Sequence, residues 1–170
     1  MLILVRHAMP AFGPDTPPEL WELADEGRRA AELLRDVLPP GAVLVAGTEP
    51  KMRQTLEPAG LVSTDVRFNE VDRDEPFEGD FRARRRGYLE GDPRPGWERH
   101  GDVIGRFDAG VQHWLARAAG QPLVVATGGM AMTLWLTTQG LADPGAFWAD
   151  LRLPDPFEIR PADGTASRLL

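Results

Sequence analysis

The chain has 170 residues, 42% of them hydrophobic and 26% charged, an ordinary balance for one globular domain spanning residues 1–170. The absence of cysteine excludes a disulfide framework, a thiolate nucleophile and a cysteine-based zinc site. The formal net charge of −7 disfavours binding to nucleic acid or to acidic membranes, so an anionic ligand would need a local basic pocket.

The first half of the chain alternates apolar strands with helices. Residues 2–5 form an unbroken apolar run, which is typical of a central strand buried on both faces. This run is too short for a signal peptide or a membrane span, and we expect a cytoplasmic protein. The elements predicted next are a helix over about residues 25–38, a strand over residues 42–46, a short helix from about Thr48 with Pro50 in its first turn, and a poorer strand at Val66 and Phe68.

The second half begins with an excursion over about residues 70–100, which carries many charges, glycines and prolines and shows little periodicity. Excursions of this length are usually functional or mobile, and we expect one short helix in it near residues 82–89. The elements predicted after it are a helix over about residues 104–120, a strand over residues 123–126, a helix from the Thr127-Gly128-Gly129 turn to about Gln139, a short helical piece after Pro144, and an edge hairpin of residues 157–160 and 167–169.

Buried strands that alternate with helices predict an α/β fold, a three-layer α/β/α sandwich around a mainly parallel sheet. In such sheets ligands bind at the carboxyl ends of the strands. Three segments should meet there: Arg6 with His7, residues 47–51, and the turn at residues 127–129.

His7 is the strongest candidate for a chemical role, because imidazole is a competent nucleophile and general base. Its position beside Arg6 at the end of a buried strand is unusual, since both groups cost free energy to bury without a partner. The guanidinium fork of Arg6 matches phosphate oxygens in a bidentate manner. These residues favour a phosphate site, and a hydrogen-bonded structural histidine is the alternative.

Five segments, in order along nearly the whole chain, resemble the histidine phosphatase superfamily, the phosphoglycerate mutase-like enzymes. The first of them, Leu-Val-Arg-His-Ala-Met-Pro, is similar to the strand that ends in the family's Arg-His motif. The segments are residues 4–10, 23–34, 48–55, 68–71 with 77–79, and 123–129.

The resemblance implies a phosphoglycerate mutase-like fold and a two-step phosphoryl transfer with no cofactor and no metal. His7 would attack phosphorus, while Glu70 would protonate the leaving oxygen and later activate water. The phosphate oxygens would be held by Arg6, Lys51, Thr127 and Gly128. The partner would be a small phosphorylated substrate or inorganic phosphate, and the short chain makes mutase activity the less favoured variant.

Three positions depart from the family pattern. Gly47 stands in place of a serine, Lys51 in place of an arginine, and Thr127 in place of the second catalytic histidine. Lysine keeps the charge but not the fork, and one lost donor costs about 3–4 kcal/mol, roughly 10²–10³ in rate. Two hypotheses follow: a phosphatase of reduced or altered activity, and a pseudophosphatase that binds a phosphorylated ligand. A domain without any phosphate site is a third interpretation.

The remaining histidines and the charged runs of the excursion can each be structural or functional. His100 could fold over the pocket, whereas we expect His113 in solvent. The acidic run over residues 72–80 could bind a divalent cation, although a solvated loop face explains it better. The basic run over residues 82–86 lies where the family has its substrate lid, so it either steers the substrate or forms an exposed helix face.

Overall fold

Six strands form one mixed sheet in the computed structural model, which describes residues 1–170. The strands are β1 (Leu2–Arg6), β2 (Val43–Ala46), β3 (Val62–Thr64), β4 (Leu123–Thr127), β5 (Asp155–Arg160) and β6 (Thr165–Arg168), in the spatial order β3-β2-β4-β1-β5-β6. The first four strands are parallel, whereas β5 runs antiparallel to β1 and pairs with β6 as a hairpin. The mainly parallel sheet and the edge hairpin are therefore confirmed.

Seven helices connect and cover these strands. They are α1 (Asp25–Glu32), α2 (Leu34–Val37), α3 (Pro50–Leu56), α4 (Phe81–Leu89), α5 (His100–Ala118), α6 (Gly129–Thr138) and α7 (Pro144–Asp150). Short 3-10 turns lie at Pro18–Leu20, Glu57–Ala59, Val66–Phe68 and Pro161–Asp163. None of the helices combines the length and the apolar character that crossing a bilayer requires.

The two faces of the sheet bury separate hydrophobic cores. Leu2 and Leu4 of β1 pack with residues of α5 and α6, whereas Ile3 and Val5 pack with residues of α2 and α3 on the opposite face. This division follows from the alternation of side chains along a strand. It confirms the three-layer α/β/α arrangement and explains why β1 reads as an unbroken apolar run.

The third predicted strand is wrong. Val66–Phe68 is a 3-10 turn, and the actual strand β3 precedes it. Asp65 caps this turn, because its carboxylate accepts a hydrogen bond from the backbone N–H of Arg67 at 2.9 Å. On a strand, the side chains of Val66 and Phe68 would lie on the same face. Phe68 is instead fully buried while Val66 is exposed, as expected for a turn that covers the core.

The first predicted helix is present but interrupted at Leu33. There the backbone N–H donates to the carbonyl oxygen of Ala30 at 3.2 Å, a bond to the third preceding residue that tightens the turn. The helix therefore divides into α1 and α2. The remaining helices agree with the sequence-based bounds to within a few residues.

Charged side chains hold much of the excursion over residues 70–100 together. The Glu75 side chain is only 3% exposed, and its carboxylate pairs with Arg73 at 3.1 Å and with Arg85 at 2.6 Å. Arg84 lies 3.8 Å from the same carboxylate. The helix expected in this segment is α4, which packs against α6 and α7. The excursion thus lies over the end of the sheet where the candidate residues meet.

Candidate active site

A cavity of about 1080 Å³ opens at the carboxyl ends of the central strands. Its lining includes His7 after β1, Lys51 after β2, Gly129 after β4 and Glu70 from the excursion. The parallel arrangement brings these segments to one edge of the sheet, as expected for the ligand site of such a fold.

His7 is held in one tautomer. Its Nδ1 lies 2.8 Å from the carbonyl oxygen of Ala8, and this hydrogen bond places the ring proton on Nδ1. The lone pair of Nε2 is therefore free for chemistry. Burial holds the pKa of His7 well below its ordinary value, and the positive charges of Lys51 and Arg6 act in the same direction. The imidazole is thus neutral at pH 7, the form in which it is a nucleophile.

Arg6 brings a positive charge that forms no ion pair with a carboxylate. Its Nη1 donates to the carbonyl oxygen of Leu151 at 2.9 Å, while its Nε is buried without a partner. Burial lowers the pKa of Arg6, and the charge of Glu70 opposes that effect. Gly129 gives the guanidinium room, because a Cβ there would lie 3.0 Å from Nε. Arg6 therefore keeps free donors for an anion.

Lys51 reaches the cavity, but its charge is already paired. Its Nζ donates to Oε2 of Glu49 and, at 2.6 Å, to the carbonyl oxygen of Pro18. Both charged side chains are buried, at 5% and 7% exposed. The other oxygen of Glu49 accepts the backbone N–H of Glu70 at 2.8 Å. A phosphate ion at Lys51 would therefore share the ammonium with an internal carboxylate.

Backbone amides fix the carboxylate of Glu70 at the N-terminus of α6. Its Oε1 accepts the N–H groups of Val71 and Ala131 at 2.9 and 2.8 Å, and its Oε2 accepts that of Met130 at 3.0 Å. Oε2 therefore retains the greater acceptor capacity. Gly128 permits this approach, because a Cβ at that position would lie 2.3 Å from Cδ of Glu70.

Two arginines of the basic run line the cavity. Arg82 lies over Trp148, with its guanidinium carbon 5.8 Å from the ring centroid, and it has no carboxylate partner. Arg85 is instead paired with Glu75. Among the arginines of the cavity lining, Arg6 and Arg82 are the two without an ion pair. The other two arginines of the run do not line the cavity.

The sequence matches no protein-family model and no curated protein, whereas the structure is similar to those of solved proteins. YhfR of Bacillus stearothermophilus is 18% identical with a TM-score of 0.73, over 99% of this chain and 95% of that one. A mycobacterial glucosyl-3-phosphoglycerate phosphatase, solved with inorganic phosphate, is 17% identical with a TM-score of 0.69, over 98% and 93%. A mutant phosphoserine phosphatase of Entamoeba histolytica, solved with phosphoserine, is 14% identical with a TM-score of 0.68, over 99% and 94%. The chain has the histidine phosphatase fold.

Within this histidine phosphatase fold, four of the six predicted site residues line the one cavity. They are His7, Glu70, Arg6 and Lys51. The structure does not bring Thr127 to the cavity, because its fully buried hydroxyl donates to the carbonyl oxygen of Phe68 at 2.7 Å. Gly128 also lies outside the lining, where it gives space to the Glu70 carboxylate.

The histidine phosphatase resemblance places a serine at Gly47, where a side chain would meet close neighbours. A Cβ at Gly47 would lie 2.4 Å from Sδ of Met52 and 2.9 Å from Oδ1 of Asn69. The Asn69 oxygen is itself held, since it accepts the backbone N–H of Thr48 at 2.7 Å. A side chain at position 47 would therefore require Met52 and Asn69 to shift.

Sequence reasoning missed Glu49. An acidic residue directly before Pro50 at a helix start is usually explained by the helix dipole, and nothing local signals that Glu49 is only 6% exposed. His100 does not line the cavity, since its Nε2 lies 2.8 Å from the carbonyl oxygen of Tyr88. His113 is exposed, as expected.

Proposed function

We propose that this protein hydrolyses small phosphomonoesters through a phosphohistidine formed at Nε2 of His7. The observation that carries the proposal is a neutral, single-tautomer imidazole in one cavity with Arg6, Lys51 and Glu70. Phosphoryl transfer needs an unprotonated nucleophile, cations for the phosphoryl oxygens and a group that moves a proton. Two proteins of the same fold that were solved with inorganic phosphate and with phosphoserine support the substrate class.

In the first step, Nε2 of His7 attacks phosphorus and the bond from phosphorus to the ester oxygen breaks. The proton that the departing oxygen takes up passes to it through Oε2 of Glu70, which accepts only one backbone N–H group. Arg6 and Arg82 hold the phosphoryl oxygens, because neither guanidinium forms an ion pair within the protein. Lys51 adds one donor, since two of its three N–H groups are already used.

In the second step, water attacks phosphorus and the bond from phosphorus to Nε2 breaks. The Glu70 carboxylate takes the proton of the attacking water through Oε2, the oxygen with the greater free acceptor capacity. Inorganic phosphate leaves and His7 returns to the neutral form. The hydrogen bond to Ala8 keeps the ring orientation the same in both steps.

The test compares turnover of 4-nitrophenyl phosphate by the parent and by His7→Ala. We expect turnover to disappear in the variant, and rapid quenching of the parent to trap acid-labile, base-stable phosphate. His113→Ala is the matched control, because His113 is exposed and outside the cavity, and it should keep the parental rate. Undiminished turnover by His7→Ala would overturn the proposal.

A second candidate function is the binding of a phosphorylated ligand without turnover. Two observations favour it: Glu49 already neutralises Lys51, and Thr127 directs its hydroxyl to Phe68. If it is correct, calorimetry will detect binding of phosphate while no phosphate is recovered on His7. Phosphate trapped on His7 excludes this function.

A further inference from the structure

Four aromatic side chains form a continuous line around the mouth of the cavity. We call them the aromatic rim: Phe12, Trp21, Phe77 and Phe81, all of which line the cavity. Their neighbouring ring centroids are 6.2, 6.4 and 5.4 Å apart in that order. They come from the loop after β1, the turn before α1 and the excursion, so the fold assembles them from distant parts of the chain.

The hydrophobic cores do not account for the rim. None of its four members belongs to a core cluster, and Phe12 and Phe77 are 63% and 43% exposed. Large apolar groups left in water around a concave site mark a place where a ligand binds. The rim therefore calls for a function of its own.

Two members of the aromatic rim lie beside cationic side chains of the cavity. Nζ of Lys51 lies 5.8 Å from the ring centroid of Trp21, and the guanidinium carbon of Arg85 lies 5.4 Å from that of Phe81. Because the rim and His7 line the same cavity, a phosphoryl group at His7 would place its ester group in a space that the rim borders.

Two of the polar groups next to the rim already have partners. Nε1 of Trp21 donates to the carbonyl oxygen of Thr16 at 2.8 Å, and Arg85 is paired with Glu75. A sugar or an amino-acid group would need free donors and acceptors here. A planar ring needs only ring faces and edges to pack against.

We propose that the aromatic rim is the leaving-group subsite and that it binds the planar aromatic ring of an aryl or arylalkyl phosphomonoester. This rests on the proposed phosphatase function, because it names the substrate class of the same site. The phosphoryl end is held by the cations near His7, and the ring end packs along Trp21 and Phe77.

The test is calorimetric binding of three phosphonates, whose P–C bond resists hydrolysis: benzylphosphonate, cyclohexylmethylphosphonate and methylphosphonate. We expect benzylphosphonate to bind roughly tenfold more tightly than methylphosphonate, and also more tightly than the saturated ring of equal size. In Phe77→Leu this preference should largely disappear while methylphosphonate binds as before. Phe147→Leu, the same substitution at a ring outside the cavity, should keep the preference.

The outcomes separate the subsite from the phosphatase proposal. If methylphosphonate binds and benzylphosphonate binds no more tightly, the subsite is overturned while the phosphate site stands. Equal binding of the saturated and the aromatic ring also overturns it. If none of the three phosphonates binds and inorganic phosphate does not either, the phosphate site is absent and both proposals fall. Should Phe77→Leu not fold, the three affinities of the parent decide the question alone.

Discussion

Replacing Glu49 by glutamine tests whether an internal carboxylate competes with phosphate for Lys51. Glutamine keeps the shape of the side chain, and its amide oxygen can still accept the backbone N–H of Glu70. It removes the negative charge that pairs with the buried ammonium. We expect Glu49→Gln to bind inorganic phosphate more tightly than the parent.

The magnitude follows from the position of the carboxylate behind Nζ of Lys51. A phosphate oxygen bound to the free side of Nζ brings its charge to roughly 5 Å from the Glu49 carboxylate. At an effective dielectric constant of about 20, two like unit charges at about 5 Å repel by about 3 kcal/mol. Relaxation of the site offsets part of this, so we expect a gain of at least about 1.4 kcal/mol, which is tenfold in affinity.

The assay is calorimetric titration with inorganic phosphate at constant ionic strength. Glu57→Gln is the control, because Glu57 forms a half-exposed ion pair with Arg53 outside the cavity and its loss should leave phosphate affinity unchanged. The free Glu49→Gln protein should also lose up to about 3–5 kcal/mol of unfolding free energy, part of which phosphate restores. Affinity equal to or below that of the parent refutes the reasoning.

Four further predictions concern stability and turnover. The unfolding free energy of the parent protein should fall as the pH drops below about 6.5, by up to about 1.4 kcal/mol per pH unit. The reason is that the unfolded chain takes up a proton at His7, whereas burial lowers the pKa of His7 in the folded chain. Urea unfolding measured from pH 5 to 8 should therefore give a flatter pH profile for His7→Gln than for the parent. Gly128→Ala should lower turnover of 4-nitrophenyl phosphate at least about tenfold, because its Cβ takes the place of the Glu70 carboxylate. Glu75→Ala should lower the unfolding free energy in urea by about 1–3 kcal/mol, because it leaves the partly buried Arg73 and Arg85 without their shared carboxylate. Thr127→His should cost about 1–3 kcal/mol of stability without a gain in turnover, because position 127 is fully buried.

Two of these predictions have a matched control, and all four have a contrary result. His113→Gln should keep the parental pH profile, and Gly105→Ala, where a Cβ meets open space, should keep the parental turnover. If the unfolding free energy of the parent depends on pH no more than that of His7→Gln, burial does not lower the pKa of His7. Parental turnover in Gly128→Ala, parental stability in Glu75→Ala, or a rate gain in Thr127→His would each contradict the geometry described above.

The features that depend on local patterning could be predicted from the sequence. The position of β1, with Arg6 and His7 at its end, could be predicted because a strand that lies between two hydrophobic cores must be apolar on both faces. Lys51 was found through the resemblance of residues 48–55 to a histidine phosphatase motif, and it lies in the short helix α3 after β2. By contrast, β3 is a short strand of mostly exposed residues at the sheet edge, so it carries no hydrophobic signal.

Features that depend on distant partners could not be predicted. Glu49 matters because its two oxygens meet Lys51 and the backbone N–H of Glu70, and the second contact spans 21 positions of the chain. The same holds for Thr127, whose hydroxyl is committed to a carbonyl oxygen 59 positions away. Residue type alone does not tell whether a polar side chain faces the cavity or a neighbouring backbone.

The crowding around Gly47 has a consequence for attempts to install a serine there. Because Met52 and Asn69 fill the volume that a side chain would need, serine at position 47 alone would force one of them to shift. Asn69 also anchors the backbone at Thr48, so its displacement would disturb the segment that leads into α3. Libraries that introduce a side chain at position 47 should therefore vary positions 52 and 69 at the same time.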